Sequence, residues 1–276
     1  MKYIFFGTPE FSATILRKLT AAGFIPQVLV CNPDRPVGRK KIVTPPPTKK
    51  LVMENALKGT EILQPENIDG DFAARLSSLA PDFFVVAAYA KIIPSGILKI
   101  PRLGAVGVHP SLLPKYRGSS PIQTAILNGE TKTGVTLYLL DEKVDHGAII
   151  ANHECQIRDD DNYETLSKKL AVMSGDLLIE TLPRFVSGEI KPRPQNESET
   201  SYTKKFTSED GFVEYAHLAE AEKAAALQRK IRALNPEPGV WTIKNGKRIK
   251  LLEAALENGR LKLKKIQEEG KLPKTV

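Results

Sequence analysis

The chain has 276 residues, 41% of them hydrophobic, enough to bury a sizeable core and form one large domain plus a smaller one. No apolar run reaches the roughly 20 residues a membrane-spanning helix needs, the opening Met1–Gly7 stretch is too short for a secretory leader, and two cysteines (Cys31, Cys155) exclude a disulfide framework, so a reducing, cytoplasmic setting with no membrane attachment is expected. The net charge of +8 is concentrated in two places, Arg35–Lys50 with six basic and no acidic residues and Thr242–Val276 with ten basic and four acidic, which points either to one polyanionic partner touching both or to two solvated basic surfaces.

In chain order, Lys2–Phe6 reads as a short buried strand. Pro9 then opens a helix with Phe11, Ile15, Leu16 and Leu19 at helical spacing and Gly23 as its stop. Gln27–Cys31 is a second strand, followed by a proline-rich basic loop through Thr48, a helix over Lys50–Leu57 and another over Phe72–Leu79. Asp82–Ala88 is a continuous apolar strand of the kind buried on both faces in a parallel sheet. Gly104–His109 is a further strand, Ser120–Asn128 a helix, and Thr136–Leu140 and Ala148–His153 are strands flanking a loop over Asp141–Gly147. Tyr163–Val186 is a long amphipathic helix with Leu166, Leu170, Met173, Leu177 and Leu178 inward. Gly188–Tyr202 is polar and proline-bearing, a linker; beyond it come a helix around Leu218–Leu234 and strands at Val240–Lys244, Arg248–Ala254 and Arg260–Gln267. Strands alternating with helices predict a doubly wound, mostly parallel α/β domain (Rossmann-like), followed by a small barrel-like or α+β module. The first βα turn, Gly7-Thr8-Pro9-Glu10, has neither the dinucleotide fingerprint nor a phosphate-binding loop pattern.

The stretch Gly107–Gly118 carries the chemistry. His109 falls at the carboxyl end of a predicted strand, where open α/β sheets build their sites, and an imidazole there can act as acid or base near neutral pH. The loop Ser111-Leu112-Leu113-Pro114 is apolar and bounded by prolines, more like a pocket wall than a solvent-washed connection, and Arg117 adds an anion-binding group. Asp145 lies in a turn-like segment, where it could orient His109 or relay a proton; spacing alone makes it a turn carboxylate.

Together with Phe6–Phe11, Pro33–Lys41, Ala88-Tyr89, Pro121–Gln123, Thr133–Thr136, Asp145–Gly147, Ser201–Thr203, Ser208–Gly211, Ile231–Pro236 and Gly239–Trp241, these motifs resemble, in the same order, the methionyl-tRNA formyltransferase family of the folate-dependent formyltransferases. The resemblance covers most of the chain. It implies a catalytic domain over 1–187, a linker over 188–206 and a small tRNA-contacting domain over 207–276. It implies transfer of a formyl group from 10-formyltetrahydrofolate to the amine of initiator methionyl-tRNA without a metal, by a monomer. His109 would assist proton removal and stabilise the tetrahedral stage, with Asp145 paired to it. Ala88, Tyr89, Ser111, Leu112, Leu113, Pro114, Leu139, Leu140 and Asp141 would surround the folate, and Arg35, Arg39, Lys40, Lys41, Arg117, Lys247 and Arg248 would meet the tRNA.

Two departures stand out. The family usually carries Asn two positions before the histidine, where this chain has Gly107; residues i and i+2 of a strand share a face, so an amide donor beside the imidazole is missing. A water, a substitute donor or a slowed reaction are the three ways this can resolve. The carboxy-terminal module is also shorter than usual, though it stays basic through Lys247, Arg248, Lys250, Arg260, Lys262, Lys264 and Lys265. The competing readings are a formyltransferase acting on an amino-sugar nucleotide or purine precursor, which leaves the basic loop unexplained, and a non-catalytic tRNA-binding relative, motivated by Gly107.

Overall fold

A computed structural model of the chain describes every residue except Arg39, Asn55, Ala56 and Lys58. The elements run β1 (Tyr3–Phe6), α1 (Glu10–Ala21), β2 (Val28–Val30), β3 (Arg35–Val37), β4 (Ile42–Thr44), α2 (Pro47–Glu54), β5 (Glu61–Leu63), α3 (Gly70–Ser78), β6 (Phe83–Ala87), α4 (Ser95–Leu98), β7 (Ala105–His109) and α5 (Pro121–Asn128). They continue with β8 (Lys132–Leu139), β9 (Ile149–Gln156), α6 (Tyr163–Val186), α7 (Ala221–Leu234), β10 (Trp241–Lys244), β11 (Lys247–Glu257), β12 (Arg260–Glu268) and β13 (Lys274–Thr275). Two compact units result: Met1–Arg117, Gly134–Cys155 and Lys168–Ser201 form the first, and Gly118–Thr133, Gln156–Ser167 and Tyr202–Val276 the second.

The first unit is built on a seven-stranded sheet in the order β5-β2-β1-β6-β7-β8-β9. The five strands from β5 to β7 are parallel, and β8 runs antiparallel to β7. The order reverses at β1, the doubly wound arrangement that places a crevice at the carboxyl ends of β1 and β6. The apolar runs explain why: β1 is buried throughout and β6 at all positions but Val86, so neither face can be offered to water. In α1, Ile15, Leu16 and Leu19 form the buried stripe, and the chain leaves it through Gly23 at φ 83°. Asp69 caps α3 by accepting the Phe72 N–H at 3.1 Å. Leu166, Leu170, Leu177, Leu178 and Leu182 are buried along α6, with Met173 half-buried.

Several elements differ from the sequence reading. The basic stretch after β2, expected to be irregular, contains the antiparallel hairpin β3–β4, whose six strand residues are all exposed. β5 has only three half-buried residues, too short for a pattern to mark. The segment 188–201, expected as a linker, is laid down on the first unit: Ile149 and Arg193 exchange backbone hydrogen bonds at 2.8 and 2.9 Å, and Arg117 N–H donates to Ser201 O at 2.8 Å.

The second unit carries the antiparallel sheet β10-β11-β12-β13, against which α7 packs, with α5 on the same helix. Both long hairpins turn on Asn-Gly pairs in the left-handed region, Asn245–Gly246 and Asn258–Gly259. Asn235 ties the end of α7 to β11, donating to Ile231 O and Leu251 O at 2.9 and 2.8 Å. Among the described residues no helix is long and apolar enough to cross a membrane, and no group of three His, Cys, Asp or Glu side chains could hold a metal ion.

Candidate active site

The parallel register carries three chain segments to one edge of the sheet: Gly7 after β1, Ala88-Tyr89 after β6, and His109 at the end of β7. Gly7 has no room for a side chain, since a Cβ would come within 2.6 Å of Ser12 Cβ and 2.9 Å of Ala87 O. Ala88 is exposed and turns the chain at φ 47°, and the Tyr89 ring then stands edge-on to Phe6 with centroids 5.4 Å apart. Among the described residues the buried Tyr89 hydroxyl has no hydrogen-bond partner, and burial pushes its phenol up to about 12.

His109 is 5% exposed. Its Nε2 lies 2.8 Å from Tyr116 O and its Nδ1 3.5 Å from Asp145 Oδ2. Both ring nitrogens thus face oxygen acceptors, an arrangement a doubly protonated ring satisfies at both ends and a neutral ring at one. The loop beyond His109 is shaped by β8. Thr136, the cross-strand partner of His109, donates through Oγ1 to Ser111 O at 2.7 Å and accepts the Leu113 N–H at 3.1 Å. Ser111 Oγ donates to Lys115 O at 2.7 Å. Ser111 and Leu113 are therefore buried parts of the loop's own framework, while Leu112 and Pro114 are half-buried.

Asp145 reaches the imidazole from a sharp turn, with φ 47°. Gly147 allows this turn, because a Cβ there would collide with Leu139 O. Gln195 braces the turn by donating Nε2 to Asp145 O and Gly147 O at 2.9 and 2.8 Å. Asp141 supports the same turn: one carboxylate oxygen accepts Lys143 N–H at 2.9 Å and the other lies 2.6 Å from His146 Nδ1. Leu139 and Leu140 spend their N–H groups on Ala148 O and Ala105 O.

The place next to His109 that Gly107 leaves bare is not open. Gly107 pairs with Tyr138 across β7 and β8, and a Cβ on Gly107 would lie 2.5 Å from Tyr138 Cε1 and 2.5 Å from Leu140 Cδ1. The Tyr138 hydroxyl donates to Asp145 Oδ1 at 2.6 Å.

Arg117 corrects the sequence reading. Its side chain is 1% exposed, with Nε and Nη2 on Gln195 Oε1 at 3.1 and 2.8 Å, and Nη1 and Nη2 on Glu197 Oε2 and Oε1 at 3.1 and 2.7 Å. The guanidinium fastens the 195–201 segment to the His109 loop and is not presented to an outside anion. It also holds the Glu197 carboxyl below the usual carboxylate range. Arg35, Lys40 and Lys41 are exposed on the β3–β4 hairpin beside exposed Val37, Ile42 and Val43, and Arg39 lies outside the described residues. The hairpin's base is pinned by Lys49 Nζ, which donates to Asp34 Oδ2 and Gln64 Oε1 at 2.8 and 2.7 Å. In the second unit, Lys247 is exposed, and the Arg248 guanidinium lies 4.0 Å from the Trp241 ring centroid.

Tyr138, Gln195 and Glu197 escaped the sequence reading. The one signal for Tyr138 is a glycine two positions before a strand-end histidine, which leaves room for a large residue across from it.

A Rossmann-like sheet with a buried imidazole and a carboxylate at its carboxyl edge is the arrangement in which α/β enzymes build their sites. The comparisons narrow this: a formyl transferase model matches residues 1–182, and a formyl transferase C-terminal domain model matches 205–272. The chain belongs to the formyl transferase family. It is 41% identical to a methionyl-tRNA formyltransferase of Enterococcus faecalis over 246 residues, which covers 89% of this chain and 76% of that one. Its fold matches the methionyl-tRNA formyltransferase structure from Clostridium thermocellum at a TM-score of 0.62 and 17% identity, over 97% of this chain and 98% of that one. It also matches an N-formyltransferase from Helicobacter canadensis, solved in complex with folinic acid and dTDP-3-aminofucose, at a TM-score of 0.67 and 18% identity, over 94% and 88% of the two chains.

Proposed function

We propose that this chain transfers the formyl group of 10-formyltetrahydrofolate to the amine of initiator methionyl-tRNA. The observation that carries the reading is the His109–Asp145 pair, buried at the carboxyl edge of the sheet with 3.5 Å between Nδ1 and Oδ2. The 41% identity to a methionyl-tRNA formyltransferase supports the choice of substrate.

As the amine attacks the formyl carbon, negative charge develops on the formyl oxygen, and the amine must lose a proton as its C–N bond forms. Asp145 holds the His109 ring in place beside that oxygen. His109 in its neutral form takes the proton the amine gives up, and the imidazolium so formed stabilises the oxyanion and returns the proton to N10 of tetrahydrofolate as the donor's C–N10 bond breaks.

Tyr89 and Leu140 pack against the same apolar cluster, which offers a pterin ring one flat wall. The exposed turn at Ala88 and the backbone of Leu139–Asp141 border it. The pterin amino group is a donor and is held by backbone carbonyls, while the Leu139 and Leu140 N–H groups are already committed to Ala148 O and Ala105 O. Leu112 and Pro114 close the remaining side. Arg35, Lys40 and Lys41 on the hairpin and Lys247 and Arg248 on β11 contact tRNA phosphates. Residues 1–187 then carry the chemistry and the hairpin's RNA contacts, and 207–276 add further RNA contacts, in a monomer of the cytoplasm.

The test is formyl transfer to charged initiator tRNA by purified protein, with and without the folate donor, and with an amino-sugar nucleotide as rival acceptor. Donor-dependent formylation of the tRNA is the expected result. Transfer to the sugar alone, or tRNA binding without turnover at any enzyme concentration, would overturn the assignment.

A further inference from the structure

Gln195 holds the backbone carbonyl of Asp145, and the Tyr138 hydroxyl and the His109 ring meet its carboxylate. Of the two carboxylate oxygens, Oδ2 faces His109 at 3.5 Å, longer than a firm hydrogen bond, and Oδ1 receives the Tyr138 hydroxyl at 2.6 Å, the length of a charge-assisted bond. Of these two contacts, the one to Tyr138 is the firmer constraint on the carboxylate's rotation. Tyr138 is itself well anchored: its ring is 6% exposed and clusters with Leu113, Ile149 and Leu140. Burial, and after it the Asp145 carboxylate, holds the phenol far above its ordinary range, so it stays a neutral donor.

The ring can lie there only because of its cross-strand neighbour. A Cβ on Gly107 would stand 2.5 Å from Cε1 and 2.7 Å from Cζ of the ring, and the backbone in β7 cannot yield without breaking its pairing with β6. Gly107, His109, Thr136 and Tyr138 share one face of the sheet by the pairing register, so the ring covers the flank of the imidazole site and points its hydroxyl at the acid.

We propose that Tyr138 is a positioning residue for the transfer reaction: its hydroxyl fixes Asp145 through Oδ1 so that Oδ2 faces His109, and the bare backbone at Gly107 makes that possible. The proposal rests on the reading of His109 and Asp145 as the reacting pair.

The test is a double-mutant cycle on the purified full chain, Tyr138→Phe against Asp145→Ala, read as kcat and as KM for the folate donor and charged tRNA. Tyr138→Phe keeps the ring and removes the donor, so it should lower kcat on the order of tenfold or more while both KM values stay within about twofold. In the Asp145→Ala background the same change should cost nothing further. A kcat for Tyr138→Phe within about twofold of wild type, or an equal loss with and without the Asp145 carboxylate, would overturn the proposal. Asp145→Ala with wild-type kcat would instead overturn the reading beneath it, so the two failures are separable. Gly107→Ala supplies a second arm should Tyr138→Phe fold poorly. By displacing the ring it should reproduce the loss in kcat, and a wild-type kcat there would count against the proposal equally.

Discussion

Replacing Arg117 with Met removes a cation from the interior while keeping an unbranched apolar side chain to fill its path. The guanidinium makes two hydrogen bonds to Gln195 Oε1, at 3.1 and 2.8 Å, from a side chain 1% exposed. The Glu197 arm contributes little, because its carboxylate is 58% exposed and can turn to water. Stranding the half-buried Gln195 oxygen costs about 1–3 kcal/mol, and release from burying a cation offsets part of it, leaving a net loss of about 2 kcal/mol. For a domain of this size that lowers Tm by about 4–8 °C, measurable by differential scanning calorimetry. Gln195 also holds the carbonyls of Asp145 and Gly147, so kcat should fall several-fold as the turn loosens. Affinity for tRNA should not change. Reduced tRNA affinity with Tm within about 1 °C of wild type would refute the reasoning and return Arg117 to the RNA surface.

His109→Ala should cut turnover by about two orders of magnitude or more with tRNA affinity close to wild type; comparable turnover removes His109 from the mechanism. Gly107→Asn should destabilise by about 1–3 kcal/mol and slow the reaction, since Tyr138 and Leu140 occupy the volume the side chain needs; a faster enzyme would contradict that packing. Replacing Arg35, Lys40 and Lys41 together with Ala should weaken tRNA binding and flatten its salt dependence by about two to three units of log K per log salt, read from filter-binding or fluorescence titrations across salt. An unchanged slope would remove the hairpin from the interface.

What could be read in the sequence was whatever a short window encodes. The apolar run Phe83–Ala87 could only be a strand covered on both faces, and that alone placed the following turn at a sheet edge. His109 was found the same way, at the end of the run Ala105–His109. The hairpin β3–β4 could not be read, because its six residues are all exposed and carry no inside–outside alternation. Arg117 was misjudged for a different reason: its partners lie 78 and 80 positions further along, and no local pattern distinguishes a buried, paired guanidinium from a free one. Asp145 looked like a turn carboxylate and is one; the same left-handed turn that suits aspartate carries it to the imidazole.

The cross-strand pair Gly107–Tyr138 limits the routes by which such a site can change through single substitutions. A lineage that first adds a side chain at position 107 forces it onto an existing ring, with overpacking of about 1–3 kcal/mol. One that first trims the ring opens a cavity, and deletion of a large aromatic costs about 3–5 kcal/mol. The aromatic-first order is therefore the harder to survive for a protein of ordinary stability, and ancestral reconstructions should show the two positions changing together or in the glycine-first order only.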